Sequence, residues 1–184
     1  MTSRLSGRCR AIIKKGSGAL GERDANLCNA PSELIGFQLH KAKPFSDIYT
    51  AKTSMAIDAT RTNIHLQIAH SAEYHLNKKP KSATHFRLTA AISIVSIYRW
   101  EQESKAYRPV NPNQNGLGAS MQSIPLECHV EHYNIQINLQ NPMPSNLSEE
   151  VAITVWLGIQ YGHNSANGFI PLKTAQAMEC IGVL

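Results

Sequence analysis

Val151-Ala152-Ile153-Thr154-Val155-Trp156-Leu157-Gly158-Ile159-Gln160-Tyr161 decides the fold class. Positions 151, 153, 155, 157, 159 and 161 are apolar at every second residue, while Thr154, Trp156 and Gln160 fall on the other parity. Successive side chains of a strand point to opposite faces, so this pattern predicts a long β-strand with one face in a core. Turn residues follow at once in Gly162-His163-Asn164-Ser165-Ala166-Asn167-Gly168, and Phe169–Leu184 is expected to close the chain with one or two short strands.

The same period extends upstream. Phe86, Leu88, Ala90, Ile92 and Ile94 alternate, and Val95 and Ile97 then change parity, as a bulge would make them do. Met55, Ile57 and Ala59 face Ile64, Leu66 and Ile68 across Arg61-Thr62-Asn63, the pattern of a hairpin. Ile35, Phe37 and Leu39 suggest a strand, as do Leu126, Cys128 and Val130, and then Ile135, Ile137 and Leu139. Residues 71–82 and 108–120 are loops by composition, and Asn141-Pro142-Met143-Pro144 breaks the pattern again. Recurrent strands without helical crossovers predict an all-β fold, an antiparallel sandwich of the immunoglobulin-like or jelly-roll-like kind, over residues 33–184.

Residues 1–32 read differently. Leu5, Cys9, Ile12 and Ile13 recur at helical spacing, Ser3 can cap the start, Gly16 offers a stop, and a Gly-, Asn- and Ser-rich connector follows. The net charge is +5, and Arg4, Arg8, Arg10, Lys14 and Lys15 account for all of it. The remainder is therefore a neutral globule carrying a basic, amphipathic N-terminal arm. These five residues are the expected partner-binding set, for an anionic partner or for a neighbouring copy.

With 42% hydrophobic residues the chain is not mainly disordered, and at 184 residues it can bury a core without a metal or disulfides. No apolar run approaches the ~18 residues of a membrane-spanning helix, and the first residues carry no secretory signal. Cys9, Cys28, Cys128 and Cys180 form no C-x-x-C pair, so all four are expected as buried small apolar side chains.

Several short patterns resemble an uncharacterised family of Bacteroidota proteins: Met1–Leu5, Gly21-Glu22-Arg23, Leu34–Phe37, Ile57–Arg61, Ala83–Leu88, Trp156–Tyr161 and Phe169–Lys173. The likeness covers nearly the whole chain. Its members carry a further N-terminal K-G-x-x-G segment that is missing here, so a shorter member, a processed form or a truncated one is expected. The family has no assigned activity, and the resemblance implies no catalytic residues.

Chemistry-bearing patterns are weak. Gly16-Ser17-Gly18-Ala19-Leu20-Gly21 matches G-x-G-x-x-G but lacks the strand before and helix after that a dinucleotide site needs. His65, His70, His75, His85, His129 and His132 are numerous, yet none has the spacing of a zinc motif; His65 and His70 should face opposite sides of their strand. There is no G-x-S-x-G elbow, and Glu101/Glu103 and Glu149/Glu150 sit in loops. No catalytic residue, cofactor or metal ligand is therefore assigned. The expected function is a non-enzymatic structural protein: a self-assembling sandwich subunit of a filament, tube or shell, with its arm on a neighbour. The alternatives are a carbohydrate- or protein-binding module, and nucleic-acid binding through the basic N-terminus.

Overall fold

The computed structural model describes residues 2–143 and 146–184. Met1, Pro144 and Ser145 lie outside them, and with them the first residue of the Met1–Leu5 motif and the end of the 141–144 break. Helix α1 spans Thr2–Lys15, so Ser3 lies inside its first turn and is not the cap expected there. Strands β1 (Thr53–Ile57) and β2 (Asn63–Ser71) form the expected hairpin, and the one-turn helix α2 (Ala72–His75) follows. Next come β3 (His85–Ser96), the small hairpin β4 (Tyr98–Glu101) and β5 (Ala106–Pro109), β6 (Gly118–Gln122) and β7 (Leu126–Glu127). Strands β8 (His132–Gln140), β9 (Val151–Ser165) and β10 (Gly168–Val183) complete the chain.

The protein is an antiparallel β-sandwich with a short N-terminal helix. A three-stranded sheet has the order β1-β2-β8, and a five-stranded sheet runs β10-β9-β3-β6 with β7 also paired to β3. Registers explain the core. Met55, Leu66 and Ile137 line up across the first sheet, and Leu88 with Ile159 and Ile92 with Val155 across the second. These inward side chains meet in one apolar cluster between the sheets, with Ile64, Ile68, Leu88, Ile94 and Ile153 fully buried. Each such side chain contributes about 1.5–3 kcal/mol relative to leaving it in water.

A second apolar cluster lies on the other face of the larger sheet. Ile12 of α1 packs there with Leu27, Leu34, Phe37, Ala152 and Cys180, and Val95, Trp156 and Val183 join its edge. This cluster corrects the expected bulge at 95. Strand β3 keeps unbroken register with β9 through Val95↔Ala152 and Ser96↔Val151. Val95 is apolar because the outer face is covered there. It also places α1 against its own sheet rather than free of the globule.

Three other strand expectations fail for local reasons. Residues 31–39 make a 3-10 turn at Pro31–Glu33 and a left-handed Gly36 (φ 81°), so only a bridge at Gln38↔Glu179 remains. Even so, Gly36 and Leu39 donate to the carbonyls of Cys180 and Met178, and Cys180 donates to that of Phe37, which caps the edge of β10. The strand expected at 126–130 stops at Glu127. The close of the chain is one strand of 16 residues broken by two register shifts. The β4–β5 hairpin and β6 fall partly inside the 108–120 stretch read as loop.

Candidate functional site

The three-stranded sheet is unusual for what its sequence omits. Strands β1, β2 and β8, with five, nine and nine residues, contain no Asp, Glu, Lys or Arg. Their outward side chains are all exposed: Ser54 and Ala56 on β1, Asn63, His65, Gln67 and Ala69 on β2, and Asn134, Gln136, Asn138 and Gln140 on β8. The register sets these in rows, Ala56–His65–Asn138 and Ser54–Gln67–Gln136. Nδ1 of His65 lies 2.7 Å from Oδ1 of Asn138, and Gln67 donates to Asn134 at 3.5 Å. The result is an outward face of amides without Asp, Glu, Lys or Arg.

Strand β8 ends this sheet. It pairs with β2 over nine consecutive residues without a register shift, and among the described residues it has no second strand partner. Exposed edges of natural sheets are usually blunted by lysine, proline or a bulge, because unpaired N–H and C=O groups template another strand. The sequence His132-Tyr133-Asn134-Ile135-Gln136-Ile137-Asn138-Leu139-Gln140 has none of these devices. A groove of about 530 Å³ runs beside it, walled by Met121–Ile124 on one side and Tyr133–Asn138 on the other. Met121 is 52% exposed and Ile124 is 75% exposed, so the groove has an apolar lip. Composition could have revealed this surface, since a run of alternating amides without charge is visible in residues 132–140.

The five basic residues of α1 do not form one patch. The Arg4 guanidinium lies over the Phe37 ring and donates to the Gln38 carbonyl at 2.6 Å. Lys15 pairs with Glu33 at 2.6 Å and Arg8 approaches the same carboxylate at 3.8 Å, which holds Glu33 below the usual carboxylate range, chiefly through the Lys15 hydrogen bond. Arg10 and Lys14 are exposed.

Histidines divide as the strand period requires. His65 is exposed and His70 is 2% exposed on the inner face of β2. Tyr49, His75, Phe86 and Tyr133 surround the His70 ring at centroid distances of 4.8–6.0 Å. Its Nδ1 lies 3.2 Å from the Tyr49 hydroxyl, while Nε2 is buried without a partner. Burial, with His75 and His132 adding to it, pushes the His70 pKa down to about 4. Among the described residues, no three His, Cys, Asp or Glu side chains are placed to share a metal ion. Cys128 is buried and His132 exposed, because residues 128–131 turn instead of continuing the strand that would have put both on one face.

Other sequence candidates have structural partners. The glycine-rich stretch after α1 is a tight turn in which Asp24 donates to the Ser17 carbonyl, and a Cβ at Gly16 would collide with the Asp24 carbonyl oxygen. Glu150 pairs with Arg99 at 2.6 Å and Glu101 lies 3.7 Å from Arg108. The expectation that all four cysteines are buried holds for Cys128 and Cys180 only; Cys9 and Cys28 are exposed. Among the described residues no helix is long and apolar enough to cross a membrane.

A polar row that the sequence reading did not single out lies on the outer face of the larger sheet. Arg87 donates through Nε and Nη2 to Gln160, Gln160 donates to Gln176, and the Arg87 guanidinium rests on the Phe169 ring. The row borders a groove of about 450 Å³ beside Gly158, whose missing side chain deepens the floor.

No family model matches the chain, and no curated protein does. Among solved structures, a β-glucuronidase from Parabacteroides merdae shares 12% identity over 66% of this chain, at a TM-score of 0.25. The aligned region spans 12% of that enzyme's own chain, and a score this low carries no argument about function.

Proposed function

We propose that this chain is a structural protein that associates with copies of itself by strand addition at β8. The observation that carries the reading is the edge itself: nine residues in regular register, uncharged, without proline, beside an apolar lip at Met121 and Ile124. Pairing β8 with β8 of a second copy about a two-fold axis would extend the sheet to six strands and satisfy both edges, the symmetry most homo-oligomers adopt.

Gln136 is the central residue of β8, so two copies related by that axis bring the Gln136 side chains together. Light scattering coupled to size exclusion should show a dimer or larger species, and Gln136→Lys should return it to monomer by setting like charges against each other. A wild-type protein that stays monomeric at millimolar concentration, or an oligomer indifferent to Gln136→Lys and Asn138→Lys, rules the reading out.

The row Arg87–Gln160–Gln176 favours a second reading, a module binding a polar ligand such as carbohydrate on the larger sheet. A glycan array on which Arg87→Ala abolishes a wild-type signal would promote it over the first. For the nucleic-acid reading, three of the five N-terminal cations already contact groups of their own chain.

A further inference from the structure

Helix α1 bridges part of the larger sheet without filling the space beneath it. A cavity of about 390 Å³ remains, lined by Leu5, Cys9 and Ile12 from α1, Val95 and Trp156 from the sheet, and Phe37 from the connecting segment. That volume lies in the range of small-molecule pockets, roughly 300–1,000 Å³. Its walls are overwhelmingly apolar, and of the four hydroxyl-bearing residues that line it, Ser93, Ser96, Tyr98 and Thr154, the last three already use theirs. Thr154 donates to the Ser93 carbonyl and accepts from the Trp156 indole, Ser96 donates to the Ile97 carbonyl, and the Tyr98 hydroxyl accepts from Asn115. The floor therefore offers a ligand surface to bury and few polar groups to meet.

The mouth differs. Arg8 lines the cavity while its side chain stays 46% exposed, and among the described residues its ion-pair partner is Glu33, at 3.8 Å. Glu33 already has Lys15 at 2.6 Å, so Arg8 can turn to another anion without leaving that carboxylate unpaired. We propose that the space under α1 is a binding site for an aliphatic carboxylate, a fatty acid whose chain lies between α1 and the sheet and whose carboxylate meets Arg8. The charge of the first helical segment and the polarity of the cavity select this class together: a neutral hydrocarbon leaves Arg8 unused, and a small anion leaves the apolar walls wet. The site is independent of the β8 edge, which lies on the other sheet.

Trp156 supplies the readout. In a Trp100→Phe background it is the remaining tryptophan, so titration with dodecanoate below its micelle concentration should give a saturable change in emission. Cys9→Phe, which fills the cavity from an exposed helix position, should abolish that change, and Val95→Phe should do so from the sheet side. Arg8→Gln should weaken dodecanoate by at least about tenfold, the loss of a hydrogen bond to a charged group, and leave methyl dodecanoate unchanged. Absence of a saturable response, a response that survives both filling variants, or an Arg8→Gln effect equal for acid and ester would each overturn the proposal.

Discussion

Nη2 of Arg61 lies 2.7 Å from the carbonyl oxygen of Val151, joining the β1–β2 turn of one sheet to the first residue of β9 in the other. The same guanidinium donates to the backbone oxygens of Ser148 at 3.1 Å and Leu184 at 2.9 Å. Arg61 adopts φ 58° to do this, a left-handed conformation that costs a non-glycine residue about 1–2 kcal/mol. The position thus combines local strain with a three-way tie between the sheets.

Two substitutions separate these contributions. Arg61→Ala removes the tie and keeps the strain, and should destabilise the fold by roughly 3 kcal/mol. Arg61→Gly removes both and should be less harmful by about 1 kcal/mol. Chemical denaturation of both variants checks this; equal losses would mean that the turn is not strained.

His70 makes stability depend on pH. Folded, its pKa is near 4; unfolded, it returns to about 6.5. Above pH ~6.5 both states hold a neutral ring and the group contributes no difference. As the pH falls below that value the unfolded chain takes up a proton that the folded chain refuses, so stability is lost progressively down to pH 4. The loss reaches roughly 2 kcal/mol at pH 5, where carboxylates are still ionised, and roughly 3 kcal/mol at pH 4. The facing groups are His75, His132, Tyr49 and Tyr133, none of them a carboxylate that could hold the imidazolium. Urea midpoints should therefore fall between pH 7 and pH 5, and His70→Phe should flatten that slope whatever its effect on stability at pH 7.

Much of this architecture is legible in residue order. Val151–Tyr161 and Ile64–Ile68 alternate because each has one face in the main core, and both become strands with the expected facing. Val95 misleads because its apolar side chain belongs to a second cluster formed by α1 and residues 27–37, which periodicity within β3 cannot reveal. Ile35 misleads for the opposite reason: it is 45% exposed beside left-handed Gly36, and residues 35–39 meet β10 through a single bridge at Gln38↔Glu179 instead of a full strand. The basic residues were visible as a group, but their division between Glu33, Phe37 and solvent depends on the return of the chain after the turn at 16–24. The amide edge at β8 is readable in composition; its isolation from a second strand is a property of sheet order, fixed by contacts between distant segments.

Gly162 marks a close crossing between β9 and β10. A Cβ there would run into the Ile170 carbonyl oxygen and approach the Phe169 ring to 2.6 Å. The Ile170 carbonyl is held by the ladder that pairs Asn164 with Phe169 and His163 with Ile170 and does not give way cheaply, whereas the Phe169 ring is the end of a side chain that can turn aside. Gly162→Ala should destabilise by roughly 1–3 kcal/mol, the usual range for overpacking. Gly21→Ala, where a Cβ meets nothing within 4 Å but φ is 93°, provides a strained control without a clash. Thermal denaturation should rank Gly162→Ala below Gly21→Ala, and the reverse order would show that β10 yields locally.

The cysteines should divide by reactivity along the same lines as by position. Burial pushes the thiols of Cys128 and Cys180 up to about 11, so at neutral pH both are protonated and shielded from reagents. Cys9 and Cys28 are exposed, and burial raises the Cys28 thiol enough to slow it without hiding it. Since the thiolate is the attacking form, a disulfide reagent at pH 8 should titrate two thiols in the native protein, Cys9 faster than Cys28, and four in denaturant. Cys9 also lines the cavity under α1, so dodecanoate should slow its labelling and leave that of Cys28 unchanged. Four fast thiols in the native protein would mean that the core around Cys128 and the second cluster around Cys180 open readily. Equal slowing of Cys9 and Cys28 would place the ligand elsewhere than beneath the helix.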